Sequence, residues 1–319
     1  MQPILFMGTP AFAVPSLRRL AAAGYPLTVL TQPDRPAGRS GAPQPSPVKQ
    51  AATELGLPVL QPPTLRDPAA VEQIRQENPA AIVVVAYGEI LRRTVLEIPP
   101  YSCLNLHPSL LPRWRGPTPI NAAILEGDAT TGVSVIRMDA GMDSGPLLAQ
   151  ELAPVAPDDT AATLGARLAK QGADLLAETL ACVLRGEARA QPQPTEGVTV
   201  CRLLSKEDGR MEWTRPAAAL ERQVRAYDPW PGTFTAWVGR RLKILAVALL
   251  PDAGGCGEPG RVRLVAELLP NAEGGERRLA VCCGEGWLEL RQVQLEGKPA
   301  VLATGFLHGY PAFASAVLE

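Results

Sequence analysis

Three apolar runs shape the first part of the chain: ILFMG at 4–8, PLTVLTQ at 26–32 and AIVVVAYG at 81–88. Each leads through a turn into a helix-compatible stretch. Apolar runs without polar alternation suit strands covered on both faces, as in a parallel sheet flanked by helices. Ser46-Pro47 before VKQAATEL and Asp67-Pro68 before AAVEQIRQ pair a capping oxygen with proline at the first helical position, which predicts two helix starts. The expected fold class is α/β, with an N-terminal Rossmann-like, doubly wound parallel sheet. The first strand-to-helix turn reads Gly8-Thr9-Pro10 and lacks the GxGxxG pattern, which argues against a nicotinamide dehydrogenase.

A long helix is expected from about 159 to 185, followed by ARAQPQPTEG, which has no apolar period. The predicted organisation is a first domain at 1–188, a linker at 189–207 and a second domain at 208–319. In the second domain TFTAWV, RLKILAVALL, RVRLVAELL, RRLAVCC and WLELRQVQL read as short strands separated by Gly-rich turns. They predict a small, OB-like β-barrel, a form that often binds nucleic acid but hosts many functions.

Composition narrows this picture only modestly. The 319 residues are 46% apolar and 20% charged, enough for two buried cores. The net charge of −1 provides no bulk attraction for a polyanion. The first apolar run is too short for a signal core or membrane span, so a cytoplasmic, non-membrane enzyme is expected. The six cysteines form no CxxC pair and have no metal-ligand spacing; buried thiols are expected, with neither metal nor disulfide.

The densest polar cluster is CLNLHPSLLPRWRG at 103–116, with Asn105 and His107 two apart at a strand end and therefore on one face. RMDAGMDSGPLL at 137–148 adds Asp139 and Asp143 among Gly141 and Gly145. Together these segments offer an Asn/His/Asp site, although Asn105 as a turn cap, His107 as a structural histidine and Asp143 in an Asx turn are comparable readings. The other histidine, His308, is expected in a surface turn.

Asn105 to Pro112 followed by Asp139 to Gly145 resembles the signature of the folate-dependent formyltransferases. GTPAFAVPSL at 8–17, TQPDRPAGR through SPVK at 31–49, and RAYDPWPGTF at 225–234 resemble the branch acting on methionyl-tRNA. The resemblance runs through nearly the whole chain. It implies 10-formyltetrahydrofolate as donor, initiator methionyl-tRNA as acceptor, no metal, and a monomer. Asn105 and His107 would donate to the developing oxyanion, and Asp143 would favour a protonated His107 and relay a proton.

By the same resemblance, folate would lie against Tyr87, Gly88, Glu89, Ile90 and Leu91, the Ser109, Leu110, Leu111 and Pro112 turn, and Asp139 and Gly141. Ile90 and Leu91 read equally well as core, and Ser109 as a support of its turn. Arg39 would enter the acceptor end of the tRNA; on the residues alone, Arg113 and Arg115 read as contacts to the acceptor RNA or, almost equally, as a solvated Arg pair beside a packed Trp114. In the second domain Arg240, Arg241 and Lys243, with Arg277-Arg278, would form a basic face, although solvated charge is a competing reading. Two departures from the branch stand out: HPS replaces the HGS of many tRNA-specific members, and SGAPQP after Arg39 lacks their lysines. A donor hydrolase, a small-amine formyltransferase and a catalytically silent RNA-binding protein are the rival readings.

Overall fold

The computed structural model describes residues 1–36, 42–251, 253–269 and 278–319. The chain divides into two compact units, the first comprising 1–119, 129–155 and 164–202, the second 120–128, 156–163 and 203–319. The stretch expected as a linker is therefore shared, with residues 189–202 counted in the first unit. Arg39 and Arg277 lie outside the described residues.

The first unit is built on seven strands: β1 Ile4–Gly8, β2 Leu27–Leu30, β3 Val59–Leu60, β4 Ala81–Val85, β5 Cys103–His107, β6 Thr130–Arg137 and β7 Leu147–Pro154. Their order is β3-β2-β1-β4-β5-β6-β7. Pairing is parallel from β3 to β5, then antiparallel for β5 with β6 and β6 with β7. The expected all-parallel sheet is thus a mixed one. The connection 138–146 is too short for the crossover that a parallel β7 would need. β1, β4 and β5 are buried at every position, as the unbroken apolar runs of β1 and β4 predict, whereas edge strand β7 is largely exposed.

Both predicted helix starts are present. Ser46 accepts from Lys49 N, and Asp67 accepts from Ala69 N. The helix Ala161–Leu184 carries Gly172, where a Cβ would come within 2.8 Å of the buried Leu106 side chain. Leu106 separates Asn105 from His107, so this helix backs the strand from the side opposite those two residues.

The second unit holds a six-stranded antiparallel sheet of β8 Thr233–Trp237, β9 Arg240–Leu250, β10 Val262–Leu264, β11 Leu279–Cys282, β12 Trp287–Leu295 and β13 Val301–Leu302. Five run in the order β8-β9-β12-β11-β10, and β13 pairs with β12. Residues 316–319 bond both edges: Ala236 and Glu319 exchange two backbone bonds of 3.1 Å, Val262 N donates to Ala316 O at 2.8 Å, and Leu318 N donates to Gly260 O at 2.9 Å. The core gathers Leu242, Ile244, Leu288, Val293, Phe306 and Phe313. Trp237 meets the rings of Phe306, Tyr310 and Phe313 edge-on at 5.7, 5.5 and 5.0 Å.

Two expectations are corrected here. Cys256 and Cys282 are joined as a disulfide, their Cα atoms 5.5 Å apart, because β11 brings the loop cysteine and the strand cysteine together. His308 lies in the last turn of the helix Ala303–Gly309 rather than in a surface turn, because Phe306 and Leu307 anchor that helix in the core.

Overpacking behind β5 gives a direct test of the first unit. Gly172→Val should lower its unfolding free energy by about 1–3 kcal/mol, read from urea denaturation, because the added branches meet Leu106 in a filled space. An unchanged midpoint would show that the helix does not pack there.

Candidate functional site

Asn105 and His107 project from the same face of β5 and are 9% and 4% exposed. Immediately after β5 the chain makes a tightly bonded turn. Ser109 Oγ donates to Arg113 O at 2.6 Å, Ser134 Oγ donates to Ser109 O at 2.6 Å, and Leu111 N donates to Ser134 Oγ at 3.1 Å. Gln150 Nε2 adds a bond to Leu111 O at 2.8 Å. Ser109 therefore has a supporting role, and Leu110, Leu111 and Pro112 form the body of the turn, with a cis bond before Pro112.

The chain returns so that the carbonyl of Trp114 lies 2.8 Å from His107 Nε2. A carbonyl only accepts, so Nε2 carries the ring proton and Nδ1 is the nitrogen left for chemistry. Nδ1 faces Asp143 Oδ2 at 3.6 Å. In the resting ring the N–H is thus committed to Trp114 O, and only a proton taken up on Nδ1 could serve an oxyanion.

Asp143 reaches this place from the β6–β7 loop. Asp139 builds that loop, accepting from Gly141 N at 2.9 Å and Ser144 Oγ at 3.0 Å. Gly145 is required, because a Cβ there would stand 1.9 Å from Arg137 O. Asp143 itself has φ +51° and Trp114 has φ +59°, left-handed conformations that cost roughly 1–2 kcal/mol each. Asn105 Nδ2 donates to Asp143 Oδ1 at 3.3 Å, and Gly116 N donates to Oδ2 at 2.9 Å.

Burial is the largest influence on His107 and pushes its pKa below the usual 6.5, while the Asp143 charge and the Trp114 bond act in the opposite direction. The ring is therefore neutral at neutral pH, and the expected protonated imidazole is not the resting form. Desolvation outweighs a carboxylate that stands beyond hydrogen-bond contact.

The remaining candidates divide. Tyr87 is 1% exposed, its phenol pushed up to about 12 by burial and then by the charge of Glu89. Glu89 braces its own loop, accepting from Thr64 Oγ1 at 2.6 Å and Leu65 N at 3.1 Å. Leu91 is core, whereas Ile90 is 85% exposed and cannot be core. Gly88 has φ +95°. The loops after β1 and β4 meet where the strand order reverses, tied by Thr9 Oγ1 donating to Tyr87 O at 2.7 Å. They border a cavity of about 490 Å³ that includes Gln32, Ser46 and Gly88, at the position where open α/β sheets take ligands.

Arg113 lies over the Trp114 ring at 4.3 Å, and Arg115 forks onto Gln193 Oε1 at 3.1 and 2.7 Å. In the second unit Arg240 donates to Glu296 O, while Arg241 lies over Phe234 at 3.9 Å and 3.9 Å from Glu207. Lys243 is exposed. Arg278 is committed to buried Glu289, with bonds of 2.7 and 2.6 Å, which removes it from the expected basic face. No cluster of three or more metal-ligating side chains occurs among the described residues. Among those residues no helix is long and apolar enough to cross a membrane. Sequence reasoning missed Ser134, Gln150, Gln193 and Thr199, whose side chains hold site loops from distant positions with no motif of their own.

The formyl transferase family profile matches residues 4–180, and that of the formyl transferase C-terminal domain matches 203–311. A methionyl-tRNA formyltransferase of Roseiflexus sp. (strain RS-1) is 49% identical over 308 residues, 96% of this chain and 92% of the relative. That of Myxococcus xanthus (strain DK1622) is 45% identical over 307 residues, 96% and 95%. Among solved structures, the sugar 3N-formyl transferase WlaRD superposes with TM-score 0.66 at 17% identity, covering 94% of this chain and 99% of its own. HypX of Aquifex aeolicus, in complex with tetrahydrofolic acid, gives TM-score 0.64 at 15% identity over 96% of this chain and 47% of its own. The structural likenesses speak to the fold; the sequence matches, spanning both units, show that the chain belongs to the formyl transferase family, among the methionyl-tRNA formyltransferases.

Proposed function

We infer that this protein moves a formyl group from 10-formyltetrahydrofolate to the amine of methionine on initiator tRNA. The observation that carries the reading is the Asn105, His107 and Asp143 cluster within a chain of this family. The fit to a folate ring rests on Ile90 and Met142, 85% and 55% exposed, which offer apolar faces on the loops after β4 and β6. Main-chain groups of 87–91 and of the 139–143 loop would meet the donor/acceptor edge of the pterin. When bound, folate supplies the activated one-carbon unit.

Formyl transfer joins the acceptor nitrogen to the formyl carbon and breaks the bond to the folate nitrogen; the amine loses a proton and the leaving nitrogen gains one. Asn105 has a second amide hydrogen free of the Asp143 bond and directs it to the developing oxyanion. Neutral His107 takes the amine proton on Nδ1, stands as a second donor to that oxygen while protonated, and then passes the proton to the departing folate nitrogen, with Asp143 stabilising the imidazolium between the two steps. Positioning supplies the rest, with no protein nucleophile. The second unit, as an OB-like platform, holds the body of the tRNA. Transfer to charged initiator tRNA, free methionine and water, measured side by side, separates this reading from hydrolase and small-amine alternatives.

His107→Ala should lower transfer about 10²–10³-fold while the protein remains folded. The folded protein resists protonation of His107 more than the unfolded chain does. Below pH 6.5, the ordinary value, the unfolded chain therefore holds more protons, and stability falls with pH. Above that pH the contribution is fully present. Denaturation of wild type and His107→Ala at pH 8 and 5.5 should show a smaller acid loss in the variant; equal losses would remove His107 from the acid response.

Arg39→Ala should raise the tRNA KM or lower kcat with folate affinity unchanged, since a guanidinium engages phosphate or an unpaired base. Equal loss of folate binding would assign the loop to the donor. Reversal of Arg240, Arg241 and Lys243 together should weaken tRNA binding and flatten its salt dependence by about 0.9 slope units per lost duplex contact. Unchanged slope and affinity in the folded variant would exclude this patch.

A further inference from the structure

The Pro- and Gln-rich stretch at 191–201 is fastened to both loops of the candidate site. At one end Gln191 exchanges backbone bonds with Leu147, of 2.7 and 2.8 Å. Gln193 Nε2 then donates to Asp143 O at 2.7 Å and to Gly145 O at 2.8 Å. Its Oε1 accepts the two bonds from Arg115, at 3.1 and 2.7 Å, which fixes the amide orientation: an oxygen turned toward two carbonyls would repel both.

At the other end Thr199 Oγ1 accepts from Trp114 N at 2.8 Å. Thr199 O accepts from Arg115 N at 2.9 Å, and Cys201 N donates to Arg115 O at 2.8 Å. The side-chain bonds therefore meet Asp143 and Trp114, two residues with left-handed backbone, φ +51° and +59°. Without these restraints each loop can relax toward ordinary angles. The Asp143 carboxylate would then leave Asn105 and His107, and the Trp114 carbonyl would leave His107 Nε2.

We propose that Gln193 and Thr199 are positioning residues for formyl transfer, one holding the loop of Asp143 and the other, through the amide of Trp114, the left-handed residue whose carbonyl orients His107. The inference rests on the roles assigned to His107 and Asp143 above. The amide bridge sets the peptide planes that follow Asp143 and Gly145, and the threonine hydroxyl sets the plane before Trp114. Both act on where the reacting groups stand.

The test uses the full-length protein with 10-formyltetrahydrofolate and charged initiator tRNA, comparing Gln193→Ala, Thr199→Val, Thr199→Ser and His107→Ala with wild type. A displacement near 1 Å can cost roughly 10²-fold in rate. Gln193→Ala and Thr199→Val should therefore lose about 10- to 100-fold in kcat, with both KM values within about threefold. Their acid limb of kcat should move to lower pH, since the Asp143 charge and the Trp114 bond both raise the affinity of His107 for a proton. Cys201, the thiol beside the Trp114 carbonyl, stays protonated because burial pushes it up, and does not blur that limb. Thr199→Ser keeps the accepting hydroxyl and should recover most of the rate.

Rates within twofold of wild type in both variants would overturn the proposal. So would losses that follow thermal melting alone, with an unmoved acid limb and Thr199→Ser no better than Thr199→Val. If Gln193→Ala fails to fold, the Thr199 pair decides by itself. A fully active His107→Ala would instead overturn the reading of the site on which the proposal rests, and so distinguishes the two failures.

Discussion

The imidazole of His107 has exchanged water for two protein oxygens, the carbonyl of Trp114 and the carboxylate of Asp143, and much of the first unit maintains that exchange. Burial holds the ring neutral, and the carbonyl decides which nitrogen bears the proton. A neutral ring with a committed Nε2–H and an open Nδ1 is a base in waiting. Each support around it restrains either the carbonyl or the carboxylate, so a small shift in either would change the chemistry.

The topology of the sheet makes this costly to arrange. β6 runs back along β5, placing Arg137 beside Leu104, and Met138 N bonds Cys103 O at 2.8 Å. The loop after β6 thus begins at the amino end of β5 and must fold over the face that carries Asn105 and His107 to bring Asp143 there. Glycine at 145 permits the approach, because any side chain would strike Arg137 O. Gly116 N completes the carboxylate's partners from the opposite loop. A site assembled from loops of such different origin is only as stable as its ties, and those ties are largely side chain to backbone.

The second unit presents a different economy of charge. Glu289 is 2% exposed and is matched by Arg278 and Arg291 at 2.6 and 2.9 Å, so part of the cationic content serves the fold. Removing one partner would leave a buried charge, which costs far more than an exposed pair contributes. Arg240 and Arg241 are engaged by groups on their own surface, yet both remain exposed to solvent, where such contacts exchange readily for a phosphate.

Much of this protein was legible in its residues because the relevant signals are local. Unbroken apolar runs mark β1 and β4, Ser46-Pro47 and Asp67-Pro68 mark two helix starts, and the spacing of Asn105 and His107 places them on one face. The signature at 105–112 and 139–145 pointed to the family because such motifs preserve a whole constellation at once. What was hidden depends on contacts between distant segments. The antiparallel turn of the sheet comes from connection length in space, the disulfide from strands that bring Cys256 to Cys282, and the resting charge of His107 from burial that no spacing reveals. Gln193 and Thr199 lie in a segment whose composition reads as linker, because a single amide or hydroxyl carries no period. Sequence determined which groups were available for formyl chemistry; tertiary structure decided which nitrogen is free, which carboxylate faces it and what keeps them together, since hydrogen bonding and desolvation act through space rather than along the chain.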